Sequence, residues 1–197
     1  MLHMTRFILY RLIAFTSFVT LLPAFSIMYV IVRLDSKGPF LFKQRRAGLG
    51  RKPFTLYKIR TMVPNAERLK TKIKRLNEAD GPVFKIRHDP RYTRVGKFLS
   101  HRGLDELPQL INVIKGDMSL VGPRPLPLSE ARLIPKRFQG RFSVLPGMTS
   151  EWVVRSAHRL PFATWMRTDL DYVRNHSLKV DVSIMVRTAL SLLNNIL

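Results

Sequence analysis

Residues 12 to 32 form an unbroken uncharged stretch with a proline, Pro23, in its middle. As a helix, ~21 residues reach roughly 30 Å, about the hydrocarbon thickness of a bilayer. Pro23 has no N–H to give and its ring crowds the preceding turn, so the helix kinks there. The carbonyl freed near Val19 then needs a donor, which Thr20 or Ser17 can supply where lipid has none. Basic residues flank both ends: Arg6 and Arg11 before, Arg33 and Lys37 after. Because Lys and Arg hold the ends of a span on the side of synthesis, neither end reads as translocated. A kinked helix that enters and leaves through one leaflet satisfies both observations. The alternative is a tilted straight span that tolerates its proline. No polar stripe marks the run as a core helix, and no small-x-small site marks a signal peptide.

Beyond Asp35 the composition turns mixed, basic and apolar. Residues 40–44 and 53–62 read as two short strands around a glycine turn. Helical patterns follow at 65–80, 93–100, 104–115, 129–139 (with Ser129 as cap), 162–175 and 180–193. GPRPLPL at 122–128 is rigid and non-helical, since each proline fixes φ and disfavours helix before it. The expected fold class is α/β but helix-rich: a re-entrant membrane helix, a small β-sheet and amphipathic interfacial helices. Residues 1–36 would be the anchor and 37–197 the single domain that follows it.

The 34 Lys and Arg against 13 Asp and Glu give a formal charge of +21. Such an excess concerns partners more than fold, and suits polyanions: nucleic acid, anionic lipid or a phosphate-rich substrate. With no cysteine, disulfides, thiolate metal sites and a thiol nucleophile are excluded. The five histidines are scattered, and neither a nucleophile elbow nor a Gly-Lys-Ser/Thr phosphate loop is present. Chemistry must therefore come from carboxylates, basic groups and a hard metal ion.

Asp105-Glu106 is the most informative acidic pair. At the start of a helix its dipole would keep both ionised, fit to hold Mg²⁺ or attack phosphorus. Taken alone, such a pair is more commonly ordinary first-turn capping. Two basic clusters add weight. Arg45, Arg46, Arg51 and Lys52 surround two glycines, either as a phosphate-facing turn or as a solvated surface. Arg124 stands between prolines, where a stiff backbone pre-orders a guanidinium suited to bidentate phosphate contact.

The runs GPFLFKQRRAGLGRKPFTLYKIRTM, DGPVFKIRHDPRYTRVGKFLSHRGLDELPQLINVIKGDMSLVGPRPL, LPGMT and DLDYVRNHSLKVDVSIM resemble successive blocks of the bacterial sugar transferases, the monotopic phosphoglycosyl transferases. The resemblance implies transfer of a sugar 1-phosphate from a UDP-sugar to undecaprenyl phosphate, a polyprenol phosphate, with release of UMP. It makes Asp105 the nucleophile of a covalent phosphosugar intermediate and the Mg²⁺ ligand, with Glu106 its partner. It assigns phosphate handling to Arg46, Lys58 and Arg124, and the membrane kink to Pro23. The implied location is the bacterial inner membrane, amid anionic lipids, with exopolysaccharide or another glycan as the product.

Departures from the family pattern are specific. Leu22 replaces the serine usual before the kink proline. Ser100-His101-Arg102-Gly103 replaces an Arg-rich run, leaving Arg102 to substitute from a shifted position. Ser150-Glu151-Trp152 through His158 lacks the usual Gln-Val and Gly-Arg features, so Trp152 and His158 are candidates for donor contact or for packing. A catalytically weak membrane scaffold is the alternative these departures raise. A nucleic-acid binder would explain the charge but neither the broken apolar run nor the acidic pair.

Overall fold

The computed structural model describes residues 2–155 and 161–194. The apolar run folds as two helices, α1 (Leu2–Thr20) and α2 (Leu22–Asp35), bent by 58° at Leu21. Pro23 lies in the first turn of α2, where a missing N–H costs least. Helical bonding continues across the break: Leu21 donates to the Ser17 carbonyl at 3.0 Å and Phe25 to the Leu21 carbonyl at 2.9 Å. Thr20 does not serve Val19. Its hydroxyl donates to the Thr16 carbonyl at 2.9 Å, the ordinary back-bond of a helical threonine. Among the described residues no single helix is long and apolar enough to cross a membrane, whereas the bent pair meets that measure together.

Both legs of the pair are fastened to the same body. Tyr10 and Ala14 of α1 are buried against Leu110, Val113 and Val121, while Val32 of α2 packs with Ile59 and Leu99. The outward positions Ile8, Leu12, Phe15, Leu22, Ile27, Val30 and Leu34 remain exposed.

Strands β1 (Leu41–Ala47) and β2 (Pro53–Ile59) form an antiparallel hairpin with Phe42 opposite Lys58 and Arg46 opposite Phe54. Fully buried Asn112 pins helix α5 (Leu110–Lys115) to that hairpin. Its carbonyl oxygen accepts from the Tyr57 amide at 3.1 Å and its amide donates to the Thr55 carbonyl at 2.7 Å. The expected single helix over 104–115 is split, with residues 104–109 wound as a 3₁₀ turn containing Pro108. A second ladder, β3 (Ser119–Val121) with β4 (Gly147–Thr149), is parallel, so two small ladders replace the one expected sheet. Their backbones meet so closely that a Cβ on Gly147 would lie 2.0 Å from the Gly122 nitrogen. Glycine is the residue that permits this approach.

The basic segment after Asn65 is shorter than its pattern implied: α3 (Ala66–Lys72) and a 3₁₀ turn end by Leu76. Helix α4 (Arg94–His101) starts at Thr93, whose hydroxyl accepts from the Gly96 amide at 3.0 Å. The helix expected over 129–139 is absent. A single turn, α6 (Leu128–Ala131), begins after Pro127 without Ser129 as cap, and a 3₁₀ segment Lys136–Phe142 follows Pro135. Pro135 supplies the reason, because it disfavours helix at Ile134 and cannot donate. Short α7 (Glu151–Val154) leads toward α8 (Phe162–Asn175) and α9 (Leu178–Asn194). Phe138, Phe142, Trp152, Trp165 and Met166 make the core beneath α8.

Candidate active site

Two chain segments bring cations to Glu106, and two more brace one of them. Lys58 projects from β2, and its ammonium lies 2.6 Å from Glu106 Oε1 and 3.5 Å from Asp105 Oδ2. Arg124, on the stiff Pro123–Pro125 backbone, grips Glu106 with both terminal nitrogens, Nη2 to Oε1 at 2.6 Å and Nη1 to Oε2 at 3.2 Å. Behind it, buried Arg141 donates to the Arg124 carbonyl at 2.8 Å while paired with Asp169 at 2.7 Å. Arg46 donates from Nη1 to the Pro125 carbonyl at 2.9 Å, and its buried Nε has no hydrogen-bond partner among the described residues. The hairpin is tied to the same segment by the Ala47 amide on the Leu126 carbonyl at 3.0 Å.

These groups border a cavity of about 670 Å³, lined by Arg46, Lys58, Asp105, Arg124, Lys85 and Trp152 among others. The two carboxylates are in opposite electrostatic states. Burial raises the Asp105 carboxyl above its ordinary value against the pull of Lys58, with Glu106 adding to the rise. Glu106 is also desolvated, yet Arg124 and then Lys58 outweigh that and hold it well below the usual carboxylate range. The expectation that a helix dipole keeps both ionised is corrected here. The pair sits in a short 3₁₀ turn, and the surrounding charges and burial decide each group separately. Burial, then neighbouring Arg124, brings Arg46 down to about 10. Glu106 is thus a fixed counter-charge, and Asp105 is the carboxyl turned to the cavity.

Of the residues anticipated from sequence, Asp105, Glu106, Arg46, Lys58 and Arg124 are brought together. Arg102 is not: its guanidinium lies over the Phe98 ring at 4.2 Å, outside the cavity lining. The glycine turn with Arg45, Arg51 and Lys52 faces elsewhere. Arg51 donates to the Ala131 carbonyl at 3.2 Å and lies over Phe142. Trp152 lines the cavity while packing on Trp165 at 5.1 Å. His158 lies outside the described residues.

Sequence reasoning missed Lys85, whose ammonium sits 4.7 Å above the Trp152 ring, and the Tyr92–Ser100 hydroxyl pair at 2.9 Å on the cavity wall. The one cue for Lys85 was a lone cation in the apolar run Val83–Ile86. Ser100 falls in the segment that departs from the family's basic run, and its hydroxyl is committed to Tyr92.

A preformed metal cage is lacking: among the described residues no three His, Asp or Glu side chains cluster to hold an ion. With Glu106 occupied by two cations, Asp105 is the carboxylate able to take a metal. One carboxylate with substrate phosphates is a usual Mg²⁺ arrangement, so the donor set fits an ion shared with a diphosphate.

A family model for bacterial sugar transferases matches residues 2–195, and this chain belongs to that family. It is 34% identical over 181 residues to the exopolysaccharide production protein ExoY of Sinorhizobium fredii, covering 90% of this chain and 80% of that protein. It is 39% identical over 160 residues to the undecaprenyl-phosphate galactose phosphotransferase of Salmonella typhimurium, 77% of this chain and 33% of that protein. The UDP-galactose-lipid carrier transferase of Erwinia amylovora is 36% identical over 193 residues, 94% of this chain and 40% of its own length. The chain therefore spans a third to two fifths of the two longer relatives, and most of ExoY.

Proposed function

We propose that this chain transfers a sugar 1-phosphate from a UDP-sugar to undecaprenyl phosphate, releasing UMP. The observation that carries the reading is a buried carboxyl facing the cavity, Asp105, beside a counter-charge locked by Lys58 and Arg124. The names of the Salmonella and Erwinia relatives, which join a galactose donor to a lipid carrier, support it.

In this scheme an Asp105 carboxylate oxygen attacks the sugar-linked phosphorus, forming an aspartyl–phosphorus bond while the bond to UMP breaks. An oxygen of the lipid phosphate then attacks the same phosphorus. The aspartyl bond breaks, freeing Asp105 and leaving a polyprenyl diphosphate sugar. Phosphoryl transfer is governed mainly by positioning and charge neutralisation, and Arg46, Lys58 and Arg124 supply both. Lys58, 3.5 Å from Asp105, favours the carboxylate that attack requires. Mg²⁺, when bound by Asp105 with the donor diphosphate, supplies further charge neutralisation.

A lipid acceptor demands a site at headgroup depth. The bend at Leu21, the outward apolar faces of α1 and α2, and the docking of both legs on one body support a re-entrant anchor entering from the cytoplasmic face of the inner membrane. Anionic lipid adds roughly 1 kcal/mol per well-placed Lys or Arg.

The test is UMP release by detergent-purified protein given UDP-sugars and undecaprenyl phosphate. Asp105→Asn should cut turnover by about 10³-fold or more while leaving membrane association intact. Undiminished turnover in that variant sinks the assignment. No UMP from wild-type protein with any UDP-sugar would favour a scaffold. Tags flanking residues 12–32 should be labelled from the cytoplasmic side alone.

A further inference from the structure

Cations outnumber carboxylates on the cavity wall: Arg60 and Lys85 stand with Arg46, Lys58, Lys70, Arg91 and Arg124, against Glu67, Glu78, Asp80, Asp105 and Glu130. Glu106 is shared by Lys58 and Arg124, and Asp105 is flanked by Lys58. Arg46 stands beside Arg124 with a buried Nε that none of the described residues satisfies. Lys70 and Arg91, also on the wall, are matched by Glu130 and Asp89. Two cations of this wall meet on one aromatic ring: Lys85 Nζ is 4.7 Å and Arg124 Cζ 5.0 Å from the centre of the Trp152 ring.

An ammonium and a guanidinium brought onto one ring, at a wall where cations outnumber carboxylates, make that part of the cavity attractive to an anion. The indole offsets part of their mutual repulsion by cation–π attraction, of the order of 0.5–2 kcal/mol per contact. It also fixes where both charges stand. Trp152 is itself held by Trp165, so the platform is rigid.

We propose that Lys85 is a donor-binding residue, its ammonium contacting the diphosphate of the nucleotide sugar opposite Arg124, with Trp152 as the positioning residue for both cations. The proposal rests on the donor reading above and adds a residue to the same site. It has a consequence that plain packing lacks. Burial, then Arg124, lowers the Lys85 ammonium to about 7, with Lys58 acting in the same direction and Glu106 and Glu78 opposing. Donor-free protein above that pH carries Lys85 largely neutral, and an arriving anion restores the charge. Binding above about pH 7 must therefore take up a proton.

Titration calorimetry with UDP, which shares its uridine and diphosphate with every UDP-sugar, tests this in buffers of different ionisation enthalpy from pH 7 to 8.5. Wild-type protein should take up close to one proton at the alkaline end, with affinity falling toward tenfold per pH unit. Lys85→Met should bind UDP about 10- to 100-fold more weakly and lose the proton uptake. Lys85→Arg, always charged, should keep most of the affinity with a flat pH profile. Trp152→Leu should weaken UDP binding without abolishing the proton uptake. Unchanged affinity and proton uptake in Lys85→Met overturn the proposal, as does a wild-type profile that Lys85→Arg fails to flatten. Failure of wild-type protein to bind UDP overturns the UDP-sugar reading itself.

Discussion

Asp105 and Asp181 are two buried carboxylates, each with a cation beside it, and they serve opposite ends. Asp181 at the start of α9 is fully buried and fully answered. It accepts from Tyr172 at 2.8 Å and from Tyr10 at 2.5 Å, with Arg6 at 3.4 Å. That knot ties α1, α8 and α9 together. Asp105 is nearly as buried, yet its neighbour Glu106 absorbs the strongest contacts and one side of it opens on a cavity rich in cations. A satisfied buried charge fastens a fold, whereas an unequally matched one is stored interaction energy awaiting a ligand.

The comparison makes predictions that would break it. The largest effect should come from the reciprocal pair of replacements. Asp181→Ala leaves two tyrosine hydroxyls and Arg6 without their acceptor, and should lower stability by about 3–5 kcal/mol in denaturant titration. Asp105→Asn should leave stability within about 1 kcal/mol of wild type, or raise it, while eliminating turnover. If Asp105→Asn unfolds the protein and Asp181→Ala does not, the two regions have been read the wrong way round. Next comes Arg124→Lys, which keeps charge but loses the two-pronged grip on Glu106. It should reduce kcat/KM by about 10²-fold with little change in melting temperature.

The smallest effect sharpens a third case, the exposed ion pair. Glu151 takes both oxygens to Arg187, at 2.7 and 3.1 Å, and also accepts from Arg155, joining α7 to α9. Its carboxyl is lowered: burial opposes, but the Arg187 and Arg155 hydrogen bonds prevail. A depressed folded value means the stabilisation is present above the ordinary glutamate range near 4.5 and is lost as pH falls through the folded value. Glu151→Gln should therefore cost under about 1 kcal/mol at pH 7 and nothing at pH 2–3, measured by the difference in unfolding free energy.

Much of the fold was legible where one local rule dominated. The limits of α8 followed from periodicity, the presence of the hairpin from its glycine turn and the break in the apolar run from Pro23. Yet β1 runs on to Ala47 and β2 stops at Ile59, where strands over 40–44 and 53–62 were expected. The helix expected over residues 129–139 failed because a charged, apolar pattern was allowed to run through Pro135. The splitting of 104–115 had the same source in Pro108. At the site, motif residues drew attention to Asp105, Glu106, Arg46, Lys58 and Arg124. Arg102 and the Arg51 turn looked equal to them in sequence, yet side-chain direction sent each to a different neighbour, Phe98 and Ala131.

By itself the sequence determined the family, the broken apolar pair of helices, the large cationic excess and the identity of the acidic dyad. These depend on residue type and order alone. Only the tertiary structure decided which carboxyl is clamped and which faces the cavity, and that Lys85 joins Arg124 on Trp152. The reason is physical: proton affinity and ion pairing fall off over a few ångströms and depend on burial, so they belong to distances between segments remote in the chain.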